Sequence, residues 1–314
     1  MPVKKSDHER LTDQLKIISD KVDKDIIKTL IANNLGPSPI DNEYKAHTVL
    51  KLAYLNYYMG VFLPVAHTYY SKVVFIDAFS GSGLVKIENS DHTVLGSTLL
   101  AATASVNGKG FDQVISIDKD QDKSNMLKSR IAALNLKNTH VECGDANDVI
   151  KNLPNKYGLN KSTGAIFFID PEGMEAELIQ FMPLFDSIKA VDLIINATWG
   201  IHRLNGRIEK NVNKADIKRM QKMIPGYVPG DNPDVKLFNY FEDILAKPIG
   251  DVVDIHDIGR KIAYSIILRT NYTKNESKWT KAMKPFGHYL STLDDNLALT
   301  FLKQRFSEQD HFDV

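Results

Sequence analysis

The stretch Val73-Val74-Phe75-Ile76-Asp77-Ala78-Phe79-Ser80-Gly81-Ser82-Gly83 decides the fold class. It opens as an unbroken apolar run of strand length, stops at an aspartate and turns through two glycines spaced by one residue. A continuous apolar run reads as a strand buried on both faces, because a half-exposed strand would alternate with polar residues. Glycines directly after it permit a tight turn and let a ligand approach the backbone. The same texture recurs as Val114 to Ile117 before Asp118, His140 to Cys143 before Asp145, and Ile166 to Ile169 before Asp170. A fifth run, Val191 to Ala197, follows an amphipathic stretch from Glu175 to Ile188. Such runs alternating with helical segments indicate an α/β fold, a doubly wound, mostly parallel sheet of Rossmann-like type. Lys261 to Arg269 is expected to be a sixth strand, with a helix from Glu276 to Met283 after it.

On the N-terminal side, Ser6 followed by Glu9 has capping-box spacing, and Leu11, Leu15, Ile18, Val22, Ile26 and Leu30 recur every three or four residues. The spacing predicts one long helix ending near Asn33, then a second from about Asn42 to Val65. The expected organisation is a helical N-terminal cap over 1–68, an α/β core over 69–200, an insertion or lid over 201–258, and a completion of the sheet over 259–314. The insertion is read from the cluster Pro225, Gly226, Pro229, Gly230 and Pro233.

The chain has 314 residues, with 39 Lys+Arg against 39 Asp+Glu. A formal charge of zero excludes a uniformly basic surface, so any nucleic-acid contact must come from a local patch. The single cysteine, Cys143, forms no internal disulfide, and a cytoplasmic setting is expected. No uninterrupted apolar run reaches the roughly 18 residues of a bilayer span, so no membrane contact is expected. The nine histidines show no i,i+3 or i,i+4 pair, and no metal site is expected.

Open α/β sheets bind ligands at the carboxyl ends of their strands, and four strands deliver aspartates to that edge. NAD or ATP would bring phosphates, which Asp77, Asp118, Asp145 and Asp170 would repel without a compensating Walker lysine. S-adenosylmethionine brings no phosphate and carries a positive sulfonium and ammonium, so it is the cofactor these carboxylates suit. Asp77 is expected to orient its amino group directly or through water, and the backbone of Phe79, Ser80, Gly81 and Gly83 to meet its carboxylate. Asp118 would accept from the ribose hydroxyls, Asp145 from the adenine amino group, and Ala146 would supply a backbone donor to the ring. The local alternative for each aspartate is a helix N-cap at its strand-to-helix turn.

Taken in order, Asp77-x-Phe79-x-Gly81-x-Gly83, Ile117-Asp118-Lys119-Asp120, Gly144-Asp145-Ala146-Asn147 and Phe168-Ile169-Asp170-Pro171-x-Gly173 resemble class I S-adenosylmethionine-dependent methyltransferases. More narrowly, the chain resembles the three-Cys-motif partner proteins (TcmP). That resemblance also rests on Lys51, Tyr54 and Tyr58 before the first strand, on Gly96-Ser97, and on a strand ending near an arginine, Asn196 to Arg203. It spans roughly 42–205. It implies a methyltransferase fold and, as a partner, a three-cysteine protein similar to radical S-adenosylmethionine enzymes.

The turn Asp170-Pro171-Glu172-Gly173 is the expected catalytic segment. Asp170 would accept a hydrogen bond from the methyl acceptor, and Glu172 would be a general base if burial raises its pKa. Its alternative is a solvated turn charge. Trp199 and Arg203 are expected on the acceptor side, and Phe167, Phe168 or Trp199 as stacking surfaces for a base. The basic stretches 202–222 and 269–284, the second with Tyr272 and Trp279, are candidate nucleic-acid contacts or solvated helix faces. The function expected is a methyltransferase whose acceptor is unassigned, with a nucleic-acid base or nucleotide first. The alternative is a non-catalytic cofactor-binding subunit of a protein complex.

Overall fold

The computed structural model describes residues 5–19, 25–188, 190–245, 249–257, 259, 261–270 and 278–307, without the side chains of 198–200, 243–245, 249, 278–281 and 305–307. The main sheet has strands β1 (Lys72–Asp77), β2 (Gln113–Asp118), β3 (Thr139–Cys143), β4 (Thr163–Ile169), β5 (Ala190–Thr198), β6 (Ile249–His256) and β7 (Ile262–Thr270). Their order is β3-β2-β1-β4-β5-β7-β6. The strands β1 to β5 pair in parallel, and β7 is antiparallel to both β5 and β6. The sheet is thus mostly parallel and doubly wound.

Alternate residues of each central strand feed two cores. Val73 and Phe75 of β1, Phe168 of β4 and Ile266 of β7 belong to the core under the N- and C-terminal helices. Val74, Ile76, Phe167 and Ile267 belong to the core on the other face. Burial on both sides is why these strands read as unbroken apolar runs.

The N-terminal part differs from expectation. The single long helix is two, α1 (Asp7–Ile18) and α2 (Ile26–Ala32), and Asp25 before α2 has a left-handed backbone with φ 43°. The Ser6–Glu9 capping box is present. Helix α3 runs Thr48–Tyr69, so it starts later than Asn42. Glu43–Tyr44 ahead of it instead forms a short strand on Leu84–Ile87, which pairs with Thr93–Leu95. Among the described residues α3 is the one helix long and apolar enough to cross a bilayer. Lys51, Asn56 and His67 interrupt its apolar sequence, and most of it is buried in the first core.

Segment 201–258 was expected to be an irregular insertion. It holds the helices Trp199–Lys210, Lys214–Met223 and Pro233–Leu245 and the strand β6. Ile201, Leu204, Ile208, Met220 and Leu237 sit in the second core, so these helices cover the sheet. The expected sixth strand is therefore the seventh. The helix placed at Glu276 to Met283 is Lys278–Ser291, and residues 271–277 lie outside the described residues. The amphipathic stretch Glu175 to Ile188 is a turn of 3-10 helix, Leu178–Phe181, followed by the helix Met182–Ser187.

Candidate functional site

The carboxyl ends of β1, β2, β4 and β5 open into a cavity of about 410 Å3, lined by Phe79, Ser80, Gly81, Gly83, Asp118, Asp145, Ala146, Asp170, Pro171 and Glu172 among others. That is within the usual range for ligand pockets, roughly 300–1,000 Å3. Most of the residues expected to bind a cofactor thus meet in one place.

The glycine turn is built for close approach. Gly81 has φ +61° and a Cβ there would meet nothing within 4 Å, so the turn presents bare backbone. Gly83 has φ +94°, and its Cβ would meet Leu127 Cδ1 at 2.8 Å. The Gly81 amide donates to Asp118 Oδ2 at 2.8 Å, and Asp118 Oδ1 accepts from the Asp120 amide at 2.8 Å. Asp118 therefore fixes the turn and the end of β2 together, leaving lone pairs for a ligand's hydroxyls. From behind, Arg130 donates to Ser82 O at 3.0 Å, to Leu35 O at 2.9 Å, to Gly36 O at 2.8 Å and to Asp41 Oδ2 at 2.8 Å. Both charged side chains are fully buried. Burial raises the Asp41 carboxyl, but the Arg130 and Ser82 hydrogen bonds and the Arg130 charge hold it below the ordinary range.

Asp77 departs from its expected role. It is fully buried and does not line the cavity; Oδ2 accepts from Ser97 Oγ at 2.6 Å and Thr98 Oγ1 at 2.8 Å, and Oδ1 from the Phe79 amide at 3.4 Å. Burial pushes this carboxyl up to about 6 against those hydrogen bonds. It shapes the turn from beneath. Asp145 caps the short helix Ala146–Val149 through the Asn147 amide at 2.9 Å, so the local alternative holds there while its side chain also borders the cavity.

At the other end Asp170 is held from two sides. Lys51 Nζ of α3 lies 2.6 Å from Oδ2, and Asn196 Nδ2 of β5 donates to Oδ1 at 2.6 Å. Lys51 also stands over the Tyr264 ring at 5.5 Å. Tyr264 donates to His47 O at 2.7 Å, and the His47 amide donates to Asp295 Oδ1 at 2.7 Å, which fastens the start of α3. Glu172 accepts from Asn42 Nδ2 at 2.6 Å and from Tyr44 at 3.0 Å, with Lys123 Nζ at 3.5 Å. Burial would raise it, but the Lys123 charge and the Tyr44 and Asn42 hydrogen bonds outweigh that and lower its pKa. Glu172 is therefore ionised at neutral pH: the condition for its role as a burial-tuned base is not met, and the alternative of a charged turn residue fits its surroundings.

Gly173 does not line the cavity; its amide donates to Glu175 Oε2 at 2.8 Å. Arg203 is exposed and also stands outside the lining. Trp199 begins a helix, and its side chain lies outside the described residues. Phe167 and Phe168 are packed in the two cores, so neither is a stacking surface. Asn42, Tyr44, His47 and Tyr264 line the cavity without having been expected. Their signal in the sequence was weak, since they come from a two-residue strand, a helix start and the seventh strand. Among the described residues no group of three His, Cys, Asp or Glu side chains would hold a metal ion.

No family model matches the sequence, and no curated protein matches it. Several solved structures are similar. The Legionella pneumophila protein LPL1258 is 13% identical, with 76% of this chain and 90% of that chain covered and a TM-score of 0.47. An O-methyltransferase from Bacillus cereus in complex with SAH is 16% identical, covering 86% and 94%, with a TM-score of 0.41. An rRNA methylase from Streptococcus thermophilus is 13% identical, covering 70% and 95%, with a TM-score of 0.38. At these identities the likeness concerns the fold alone, and nothing about ligand or substrate follows from it.

Proposed function

We propose that the cavity binds S-adenosylmethionine and that the chain is a methyltransferase using it. The observation that carries this reading is the open glycine turn facing Asp118 and Asp145 across one cavity: Lys51 and Lys123 pair with Asp170 and Glu172, whereas among the described residues Asp118 and Asp145 have no ion-pair partner and keep their charge for a ligand. A cationic, phosphate-free ligand suits that field. The bare turn at Phe79 to Gly83 would receive the methionine carboxylate, Asp118 the ribose hydroxyls, and Asp145 with Ala146 the adenine. The bound cofactor would supply an electrophilic methyl group on sulfonium.

Asp170 would then orient the acceptor, with Lys51 and Asn196 holding its carboxylate in a fixed direction. The acceptor class favoured is a nucleic-acid base or nucleotide. Membership of the three-Cys-motif partner proteins, a three-cysteine protein partner and a cytoplasmic setting belong to the same proposal and rest on sequence resemblance and the lone cysteine. A non-catalytic cofactor-binding subunit is the second reading, favoured by the prior engagement of Asp170 with Lys51.

The test is transfer of labelled methyl from S-adenosylmethionine into cell-extract fractions treated with ribonuclease, deoxyribonuclease or protease. Label lost on nuclease treatment is expected. Cofactor binding without label in any fraction would contradict catalysis and favour the subunit reading.

A further inference from the structure

We infer that the outer face of the helices Trp199–Lys210 and Lys214–Met223 is a docking surface for the phosphodiester backbone of a nucleic-acid strand; this rests on the methyltransferase reading and specifies its substrate class. The inner faces of both helices are consumed by the second core, through Ile201, Leu204, Ile208, Met220 and Met223. What remains outside is basic. Arg203, Arg207, Lys210, Lys214, Lys218, Arg219 and Lys222 are all exposed, against Glu209 and Asp216, in a chain whose net charge is zero.

The face is also placed for the purpose. Lys218, Arg219 and Lys222 line a recess of about 450 Å3 whose wall includes Lys119, Asp145 and Glu175, three residues that line the cofactor cavity as well. The recess therefore adjoins that cavity. Two of its three acidic members are paired, Glu175 with Lys119 at 3.9 Å and Glu177 with Lys222 at 2.5 Å, while Asp145 caps its helix through the Asn147 amide and keeps its charge at the cavity end of the recess. Among the described residues Lys218 and Arg219 have no ion-pair or hydrogen-bond partner. Exposed cations without an ion-pair partner attract phosphate, and contact with several phosphates releases counterions. A strand held there would present an unstacked base towards the neighbouring cavity.

The probe is a fluorescein-labelled 20-nucleotide RNA, with DNA of the same sequence as the second arm, titrated with the full chain by anisotropy across about 50–300 mM salt. Binding that weakens with salt, at a log–log slope of about −0.7 per phosphate contact, is expected for at least one arm. Lys218→Ala/Arg219→Ala should weaken binding at least tenfold at low salt and reduce the slope by about 1.4, two contacts' worth. Lys128→Ala/Lys137→Ala, in the helix Gln121–Ala133 and the turn that follows it, should leave both unchanged. No binding in either arm at low salt, or equal losses in the two double variants, would overturn the proposal. Titration of the wild-type chain with S-adenosylhomocysteine is the separate check on the cofactor reading, so the two fail independently.

Discussion

Lys51 Nζ lies 2.6 Å from Asp170 Oδ2, an ion pair that ties the helix α3 to the turn ending the fourth strand. Both side chains are mostly buried, so the pair is screened far less than a surface bridge. Lys51→Met would leave the Asp170 carboxylate with Asn196 alone, at a cost of about 2 kcal/mol. A double-mutant cycle with Asp170→Asn, measured by urea unfolding, should give a coupling energy above about 1 kcal/mol. Additivity within about 0.3 kcal/mol would mean the pair is incidental.

The two glycines of the turn separate strain from crowding. Gly81→Ala meets open space and bears only a left-handed backbone, worth about 1 kcal/mol. Gly83→Ala bears that strain and drives a Cβ against Leu127 and Leu99, for about 3 kcal/mol in all. Equal destabilisation of the two variants would contradict this division.

Asp77 sets a pH dependence whose sign follows from burial. Its folded pKa of about 6 lies above the ordinary 3.8, so the folded state binds the proton more tightly. The stability it contributes is complete below about 3.8 and is lost as pH rises through about 6. Asp77→Asn cannot titrate. The unfolding free energy of wild type relative to that variant should fall by about 3 kcal/mol from acid to neutral pH. A constant difference across that range would show that the carboxyl is not shifted.

The buried Asp41–Arg130 pair supports the glycine turn from behind. Asp41→Ala would strand a buried guanidinium at a cost of about 4 kcal/mol. Because Arg130 also donates to Ser82 O, S-adenosylhomocysteine affinity should fall as well, more than in a core variant of matched stability such as Leu15→Ala. Equal affinity in those two variants would confine the pair to a purely structural role.

The fold was legible because two-face burial writes parallel strands as continuous apolar runs, and the aspartate after each run marks the ligand edge. The sixth strand was missed because Ile249–His256 carries Gly250, Asp251 and Asp254 at the edge of the sheet, where one side needs no apolar residues. The surroundings of Asp77 and Glu172 were illegible for a different reason. Sequence shows that a carboxylate is near a site, but not that Ser97 and Thr98 will occupy one or that Lys123 will lower the other. Lys51 was singled out only by resemblance; its meeting with Asp170 is a tertiary event across the fold.

The most direct measurement is isothermal titration of the full chain with S-adenosylhomocysteine, alongside Asp118→Ala. One-site binding in the micromolar range, weakened more than tenfold (about 1.4 kcal/mol) by Asp118→Ala, is the expected result. No heat of binding at millimolar ligand, or an unchanged affinity in the variant, would contradict the assignment of this cavity.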